Sequence, residues 1–334
     1  MTVKAEVAEI MKTEGQVYEW ASKIEYKREL TSEEKEISEV VDAWAKEIGS
    51  KGSDPDCEIA NFIVKTIEPE VYDRPDALLD SMFNRGSVGE FDDVSVIKNP
   101  KNTLIAHDAA KGGNVDKSYI DTTLLTPTWK HKQVESEVTY ADLRRNGYRS
   151  VATLTTFAQE SLKDQMISDI FTVIDNAIVG SDQVIAVTGS APAKTDMDEL
   201  ALYVLDRVLN GDDPFCFGLN KYAQAIANIS GYTSFMSDNM KDDFNRYGLI
   251  KFYQGMRIAG ISGAKKTAKG DLLVPDKRIF GVAGKIGQLD MRGNVRVYET
   301  PDNNKEKFDI KVTGFEFGYV IEDIEKVAKV TFSA

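Results

Sequence analysis

The sequence predicts an α+β fold in which helices and strands do not alternate regularly. Three observations predict it: residues 1–85 carry mostly helical patterns, one long helix is expected over residues 151–179, and the chain is mostly β-like from residue 272 onward. A doubly wound parallel sheet would need strict alternation of strands and helices. A chain of 334 residues is long enough to bury a sizeable core, in two domains or one elaborated domain.

The first 85 residues are predicted to form an arm of helices rather than an independent domain. Residues 3–29 carry one apolar stripe, and a capping box formed by Thr31 and Glu34 begins a second helix that ends at Gly49. The second helix has a narrow apolar face, made of Ile37, Val40, Val41, Trp44 and Ile48. Such a narrow face is suited to docking on another surface, which makes Trp44 a candidate contact residue.

A polar segment follows from residue 88 to residue 130. Its apolar residues have no sustained period, and Gly112 and Gly113 lie near its middle. Because an ordered loop of this length is uncommon inside a compact domain, the segment is expected either to be disordered or to pack outside its own domain. Residues 132–150 then begin as a strand and end in a basic cluster, which consists of Arg144, Arg145 and Arg149.

The long helix over residues 151–179 has an apolar face that changes side along its length. Val151, Leu154, Phe157 and Leu162 fall on one side, whereas the apolar residues of 166–178 fall on nearly the opposite side. This pattern predicts that the two halves bury against different bodies. A break near residue 163 is the alternative, although no Gly or Pro marks one.

The rest of the chain mixes both element types. Residues 184–190 read as a strand, and helices are expected after Thr195 or Asp196 and over residues 237–247. Residues 295–299 and 307–313 are predicted to pair as a hairpin with an enlarged turn.

The composition argues against an enzyme and against a bound metal or cofactor. The chain has two histidines, His107 and His131, and two cysteines, Cys57 and Cys216, with no ligand spacing between them. These numbers exclude a multi-histidine zinc site and leave a catalytic triad without support. The run 189–195 lacks a glycine that a phosphate-binding loop needs.

The charge and hydropathy limit the partners. A formal net charge of −13 argues against tight nucleic-acid binding, although it permits enclosing nucleic acid without gripping it. No apolar run reaches the ~18 residues of a membrane span, and the acidic N-terminus does not fit a secretory signal, so a cytoplasmic product is expected.

Three sequence runs, in this order along the chain, resemble tailed-bacteriophage major capsid proteins: residues 75–94, 141–162 and 275–303. The resemblance covers most of the chain from about residue 60, and none of the runs is a catalytic signature. It implies the tailed-phage capsid fold, in which an N-terminal arm precedes an extended β-loop, a long spine helix, and peripheral and axial domains.

The resemblance also implies a division of this chain. Residues 1–85 would be the arm, and residues 86–130 the extended loop, which in the family lies over a neighbouring subunit. The two domains would be a peripheral domain of residues 131–190 and 291–320, containing the spine helix 151–179, and an axial domain of residues 191–290 and 321–334.

Contacts between subunits are expected at nine residues: Trp44, Lys111, Lys117, Trp129, Arg144, Arg145, Arg149, Asn303 and Asn304. Some members of the family join subunits covalently through a loop Lys and a peripheral Asn, assisted by a Glu. Lys111 and Lys117, with Asn303 and Asn304, would be the corresponding residues. Because surface Lys and turn Asn are common in every protein, a shell without cleavage or cross-links is the favoured expectation.

The function implied is a self-assembling shell that encloses the double-stranded DNA of a tailed phage. Its expected partners are copies of itself in hexamers and pentamers, together with scaffolding, portal and decoration proteins. It is expected in the virion after assembly in the host cytoplasm. One alternative is an encapsulin-type nanocompartment with an enzyme cargo, and another is an α+β enzyme of carboxylate or metal chemistry, which the sparse His and Cys disfavour.

Overall fold

The structure is a computed structural model with a mixed α+β architecture, as predicted. It describes residues 16–51, 62, 77–90, 97–101, 103–108, 117–189, 191–209, 211–229, 237–247, 250–267, 269–293, 295–302 and 304–333. The helices are α1 (Gln16–Glu25), α2 (Ser32–Lys51), α3 (Ala77–Met82), α4 (Tyr140–Asn146), α5 (Tyr148–Ala177), α6 (Lys194–Leu205), α7 (Asn220–Ala227) and α8 (Asp238–Tyr247). The strands are β1 (Phe83–Val88), β2 (Ile97–Lys101), β3 (Asp121–Leu125), β4 (Thr128–Thr139), β5 (Val184–Thr188), β6 (Phe215–Leu219), β7 (Phe252–Tyr253), β8 (Met256–Ile261), β9 (Arg278–Val282), β10 (Gly287–Arg292), β11 (Arg296–Asp302), β12 (Lys307–Ile321) and β13 (Val327–Ser333).

A five-stranded sheet is organised around the long strand β12. This strand pairs antiparallel with β4 along most of its length, and with β11 and β10 along successive parts. The predicted hairpin is therefore present as β11–β12. Strand β1 extends the sheet by pairing parallel with β10, so a segment before the polar loop is joined to one near the C-terminus.

A six-stranded sheet has the order β5-β13-β9-β6-β8-β7. Helix α5 packs on one face of it, where the rings of Phe171 and Phe217 are 5.2 Å apart. Helix α6 packs on the other face, because a side chain at Gly281 would lie 2.9 Å from Leu200 Cδ1. The predicted division into domains remains a prediction. Of the strands near its boundaries, β5 belongs to the six-stranded sheet and β10 belongs to the five-stranded sheet.

The arm helices α1 and α2 pack against α4 and α5 of their own chain. The predicted capping box is present, since Thr31 N donates to Glu34 Oε2 at 2.8 Å and Glu34 N donates to Thr31 Oγ1 at 3.3 Å. The indole of Trp20 is fully buried. The apolar face of these two helices, which was predicted to dock on another surface, is covered by α4 and α5 of the same chain.

Helix α5 is continuous, but its buried face drifts instead of changing side. The buried residues are Val151, Ala152, Thr155, Thr156, Ala158, Gln159, Leu162, Met166, Ile167, Ile170, Phe171 and Ile174. The prediction was wrong for Phe157, which is 52% exposed. Polar residues take its place under the arm, and Thr155 can be buried because its hydroxyl donates to Val151 O at 2.9 Å.

An ionic contact fastens β4 to the spine helix. Asp169 Oδ2 lies 2.6 Å from Lys132 Nζ and 3.3 Å from Lys130 Nζ. Burial alone would raise the pKa of Asp169, but its contacts with Lys132 and Gln165 and the two lysine charges hold that pKa below its ordinary value. A second contact, Asp175 with Lys329 at 2.8 Å, fastens the end of the helix to β13.

Asp169→Asn should lower the free energy of unfolding at neutral pH by about 1–3 kcal/mol, because charge-assisted bonds are lost. A carboxylate with a lowered pKa stabilises the fold above its unfolded-state pKa, and this contribution is lost as the pH falls through the folded-state value. The difference between wild type and variant, measured by urea unfolding, should therefore shrink below about pH 4. A difference that is constant from pH 7 to pH 3 would contradict this role.

The drift of the buried face makes opposite predictions for two phenylalanines of the same helix. Phe171→Ala should cost about 3–5 kcal/mol, because it empties a filled core position. Phe157→Ala should change the free energy of unfolding by no more than about 0.5 kcal/mol, because the side chain is half exposed. Urea unfolding of the monomer measures both free-energy changes. Equal losses would show that Phe157 is buried, as the sequence pattern predicts.

Candidate intersubunit interface

A groove of about 670 Å³ lies between β4 and the first half of α5. Its apolar lining comes from Val134, Val138, Leu154, Phe157 and Ala158. Its charged lining is mostly acidic and comprises Glu135, Glu137, Asp142, Glu160 and Asp164, with Arg149 and Lys266 as the cations. The groove therefore suits an apolar segment that carries positive charge.

The groove exists because two elements each present an apolar face that they do not bury on each other. Strand β4 alternates its side chains, so Val134 and Val138 share one side of the sheet. On α5, Phe157 is half exposed and lines the groove beside Thr153 and Glu160, which hydrogen-bond to Glu25 and Tyr26 of the arm.

The predicted extended loop contains a two-stranded hairpin. Strands β2 and β3 pair antiparallel, from Ile97 opposite Leu125 to Lys101 opposite Asp121. Beyond the strands, Ile105 N donates to Ser118 Oγ at 3.2 Å. Thr103 Oγ1 donates to the Tyr119 carbonyl and accepts from Asp121 N at 3.0 Å. These bonds hold the two limbs together, so the hairpin is organised before it meets a partner.

This hairpin exposes large apolar side chains to solvent. The exposed fractions are 55% for Leu104, 65% for Ile105, 77% for Tyr119, 58% for Ile120 and 63% for Leu124. The described residues of this hairpin include three lysines, Lys98, Lys101 and Lys117, and two aspartates, Asp108 and Asp121. Clustered exposed apolar residues are characteristic of an interaction surface.

Two aromatic residues of the predicted contacts are wholly or partly covered by their own chain. Trp44 is only 2% exposed and its ring centroid lies 5.6 Å from that of Phe62. An intersubunit role for Trp44 is therefore not supported, because the side chain fills its own core. Trp129 is half-buried: its ring lies against Gly318, where a side chain would approach to 2.8 Å, and beneath Arg292.

The predicted basic cluster is exposed around helix α4. Arg144 lies 3.3 Å from Glu306 of its own chain. Arg145 and Arg149 are exposed, and Arg149 lines the groove. The structure brings Arg149 alone of these three into the groove lining, and the role of all three in subunit contacts remains a prediction.

The residues considered for a covalent link lie at two exposed positions. Lys117 is exposed on the hairpin, and Asn304 is exposed in the turn between β11 and β12. Lys111 and Asn303 fall outside the described residues.

The described residues contain no group of three or more His, Cys, Asp or Glu side chains arranged to hold a metal ion. Complete burial raises the pKa of the Cys216 thiol to about 12, which keeps the sulfur protonated and unreactive. Within the same residues, no helix is both long enough and apolar enough to cross a bilayer.

Sequence reasoning missed the residues that dominate the two surfaces. Ile105, Tyr119 and Ile120 stand in the polar segment without a regular period, which gave no structural pattern to follow. Their signal was the presence of large apolar residues where no core was expected. Phe157 was identified as apolar, but was assigned to the buried side of the helix.

Solved structures share this fold at low sequence identity. A structure from Gordonia phage Cozz matches with a TM-score of 0.56 and 11% identity, over 76% of this chain and 85% of that chain. A structure from Microbacterium phage Oxtober96 matches with a TM-score of 0.54 and 11% identity, over 78% and 91%. The capsid structure of the cyanophage P-SCSP1u matches with a TM-score of 0.53 and 11% identity, over 78% and 89%.

No protein-family model matches the chain, and no curated protein matches it either. At 11% identity, the likeness to solved structures establishes the fold. The chain has the fold of tailed-phage major capsid proteins, which confirms the fold class predicted from its sequence.

Proposed function

We propose that this chain is the major capsid protein of a tailed bacteriophage, which assembles with copies of itself into an icosahedral shell around double-stranded DNA. The observation that carries the proposal is a capsid fold combined with a preorganised hairpin whose apolar residues stay exposed. A shell subunit surrounded by identical copies has the neighbours that such a hairpin needs. The proposed role is structural and requires no enzymatic activity.

The hairpin and the groove are complementary in both polarity and charge. The described part of the hairpin is apolar and has three lysines against two aspartates, and the groove is apolar and has five carboxylates against two cations in its lining. We assign the hairpin of one copy to the groove of the next. Covering each large apolar side chain contributes about 1.5–3 kcal/mol, so one contact is modest and a shell gains from its repetition.

The other proposed partners follow from enclosure rather than from a binding site. Copies in hexamers and pentamers would form the shell, with scaffolding, portal and decoration proteins completing it. The net charge of −13 suits a wall that contains DNA without binding a particular sequence. The protein would assemble in the host cytoplasm and remain in the virion.

The triple substitution Ile105→Ser, Tyr119→Ser and Ile120→Ser should prevent shell closure and leave the subunit folded. These side chains are exposed, so their loss removes interface and no core. The concentration needed for assembly should rise at least about tenfold, because several apolar contacts are lost per interface. Negative-stain electron microscopy and light scattering measure the outcome. If a scaffold gene lies next to the gene for this chain, it is co-expressed.

Val179→Ser is the matched control, because Val179 is 83% exposed and lies on neither the hairpin nor the groove lining. It should assemble like the wild type, whereas Phe157→Ser in the groove should fail like the hairpin variant. Normal shells from the hairpin variant would remove the basis of the proposal. Shells that contain an enzyme instead of DNA would indicate a nanocompartment.

A shell without covalent links should dissociate fully in denaturant. Wild-type particles boiled in detergent should give a single band at the monomer mass, because no Lys–Asn bond joins the subunits. Lys117→Arg and Asn304→Ala should assemble with wild-type yield, because arginine keeps the positive charge of the hairpin. A ladder of multimers that disappears in either variant would show instead that these two residues are cross-linked.

A further inference from the structure

An apolar ridge lies on the outer side of α6, on the six-stranded sheet. Leu202 is 63% exposed and Leu205 is 40% exposed, one helical turn apart, and Leu209 follows in the turn after the helix at 63%. Leu205 also faces the turn between β7 and β8, since a side chain at Gly255 would lie 3.8 Å from its Cδ2. Three neighbouring leucines in solvent are unfavourable unless another surface covers them.

The charges around this ridge are acidic once local ion pairs are taken into account. Lys194 is engaged by Asp198 at 2.6 Å, and Arg207 approaches Asp182 at 3.5 Å. Two further acidic residues, Glu199 and Asp206, are exposed beside the leucines. The ridge therefore suits a partner that is apolar and basic.

The opposite side of the same sheet carries a surface of that kind. A groove of about 410 Å³ is lined by apolar residues of α3, α5 and β8 and of the segment before β9. The apolar residues are Ala77, Leu78, Ile167, Phe171, Ile258, Ala259, Ile261, Leu273 and Val274. Lys265 lines this groove, and Lys269 is exposed four residues further along the chain.

The two surfaces cannot meet within one chain. Helix α6 packs on the side of the sheet that bears Gly281, and the spine helix α5 packs on the side that bears Phe217. The ridge projects from the first side, while Lys265 shares its groove with Phe171 of the spine on the second side. Complementary surfaces on opposite sides of a sheet can be joined only between two copies.

We propose that the ridge of one copy, Leu202, Leu205 and Leu209, docks into the Lys265 groove of a second copy, with Glu199 and Asp206 facing Lys265 and Lys269. This contact is heterologous, so its repetition produces a ring or an open array rather than a closed dimer. It deepens the proposed shell function by assigning a second subunit contact, separate from the hairpin.

Charge reversal provides the test, because each surface can be inverted by itself. One variant carries Glu199→Lys and Asp206→Lys, and the other carries Lys265→Glu and Lys269→Glu. In either variant alone, like charges meet, and self-association measured by sedimentation should weaken at least about tenfold. In an equimolar mixture, each ridge meets an oppositely charged groove of the other variant, and association should return.

Wild-type protein that stays monomeric at high concentration would overturn this proposal, and so would charge variants that associate like the wild type. A mixture that stays dissociated would also overturn it. So would undiminished association of a Leu202→Ser, Leu205→Ser and Leu209→Ser variant, which lacks the ridge. Recovery in the mixture also shows that both variants are folded. The outcomes of this test can be distinguished from those of the test of the proposed function. Rings that never close into shells would support this contact alone, and normal shells from both charge variants would support the shell function alone.

Discussion

Burial of helix α5 is the interaction on which the rest of the structure depends. Its first half is covered by the arm helices, its middle is held to β4 through Asp169, and its last turns pack on the six-stranded sheet and reach Lys329 through Asp175. One continuous apolar cluster runs through these contacts, from Val17 in the arm to Val327 near the end of the chain. Each sheet is thereby positioned relative to the other by a single rigid element.

The same constraint explains why apolar surface remains exposed. Most of the surface of α5 is covered by the arm and by the two sheets. The part around Phe157 is left to line the groove beside β4. The hairpin is the counterpart: its limbs are fixed by Thr103 and Ser118, although its apolar residues have no core to enter. The chain folds, but it leaves large apolar side chains of the hairpin and of the groove exposed.

Local signals in the sequence predicted local structure well. The capping box at Thr31 and Glu34, the helix over residues 237–247 and the β11–β12 hairpin depend on neighbouring residues, and all three are present. Features set by distant contacts were not predictable in this way. Which side of α5 receives the arm decides that Thr156 is buried and Phe157 is exposed, and a hydrophobicity pattern assigns those two residues the opposite way.

The parallel pairing of β1 with β10 has a consequence for the timing of synthesis. The hairpin is carried between β1 and β4, and these strands find their partners in β10 and β12, which are synthesised much later. A nascent chain interrupted before residue 287 lacks the strands that orient its hairpin. The orientation of the hairpin on which the proposed contact depends is therefore acquired only after β12 has been synthesised.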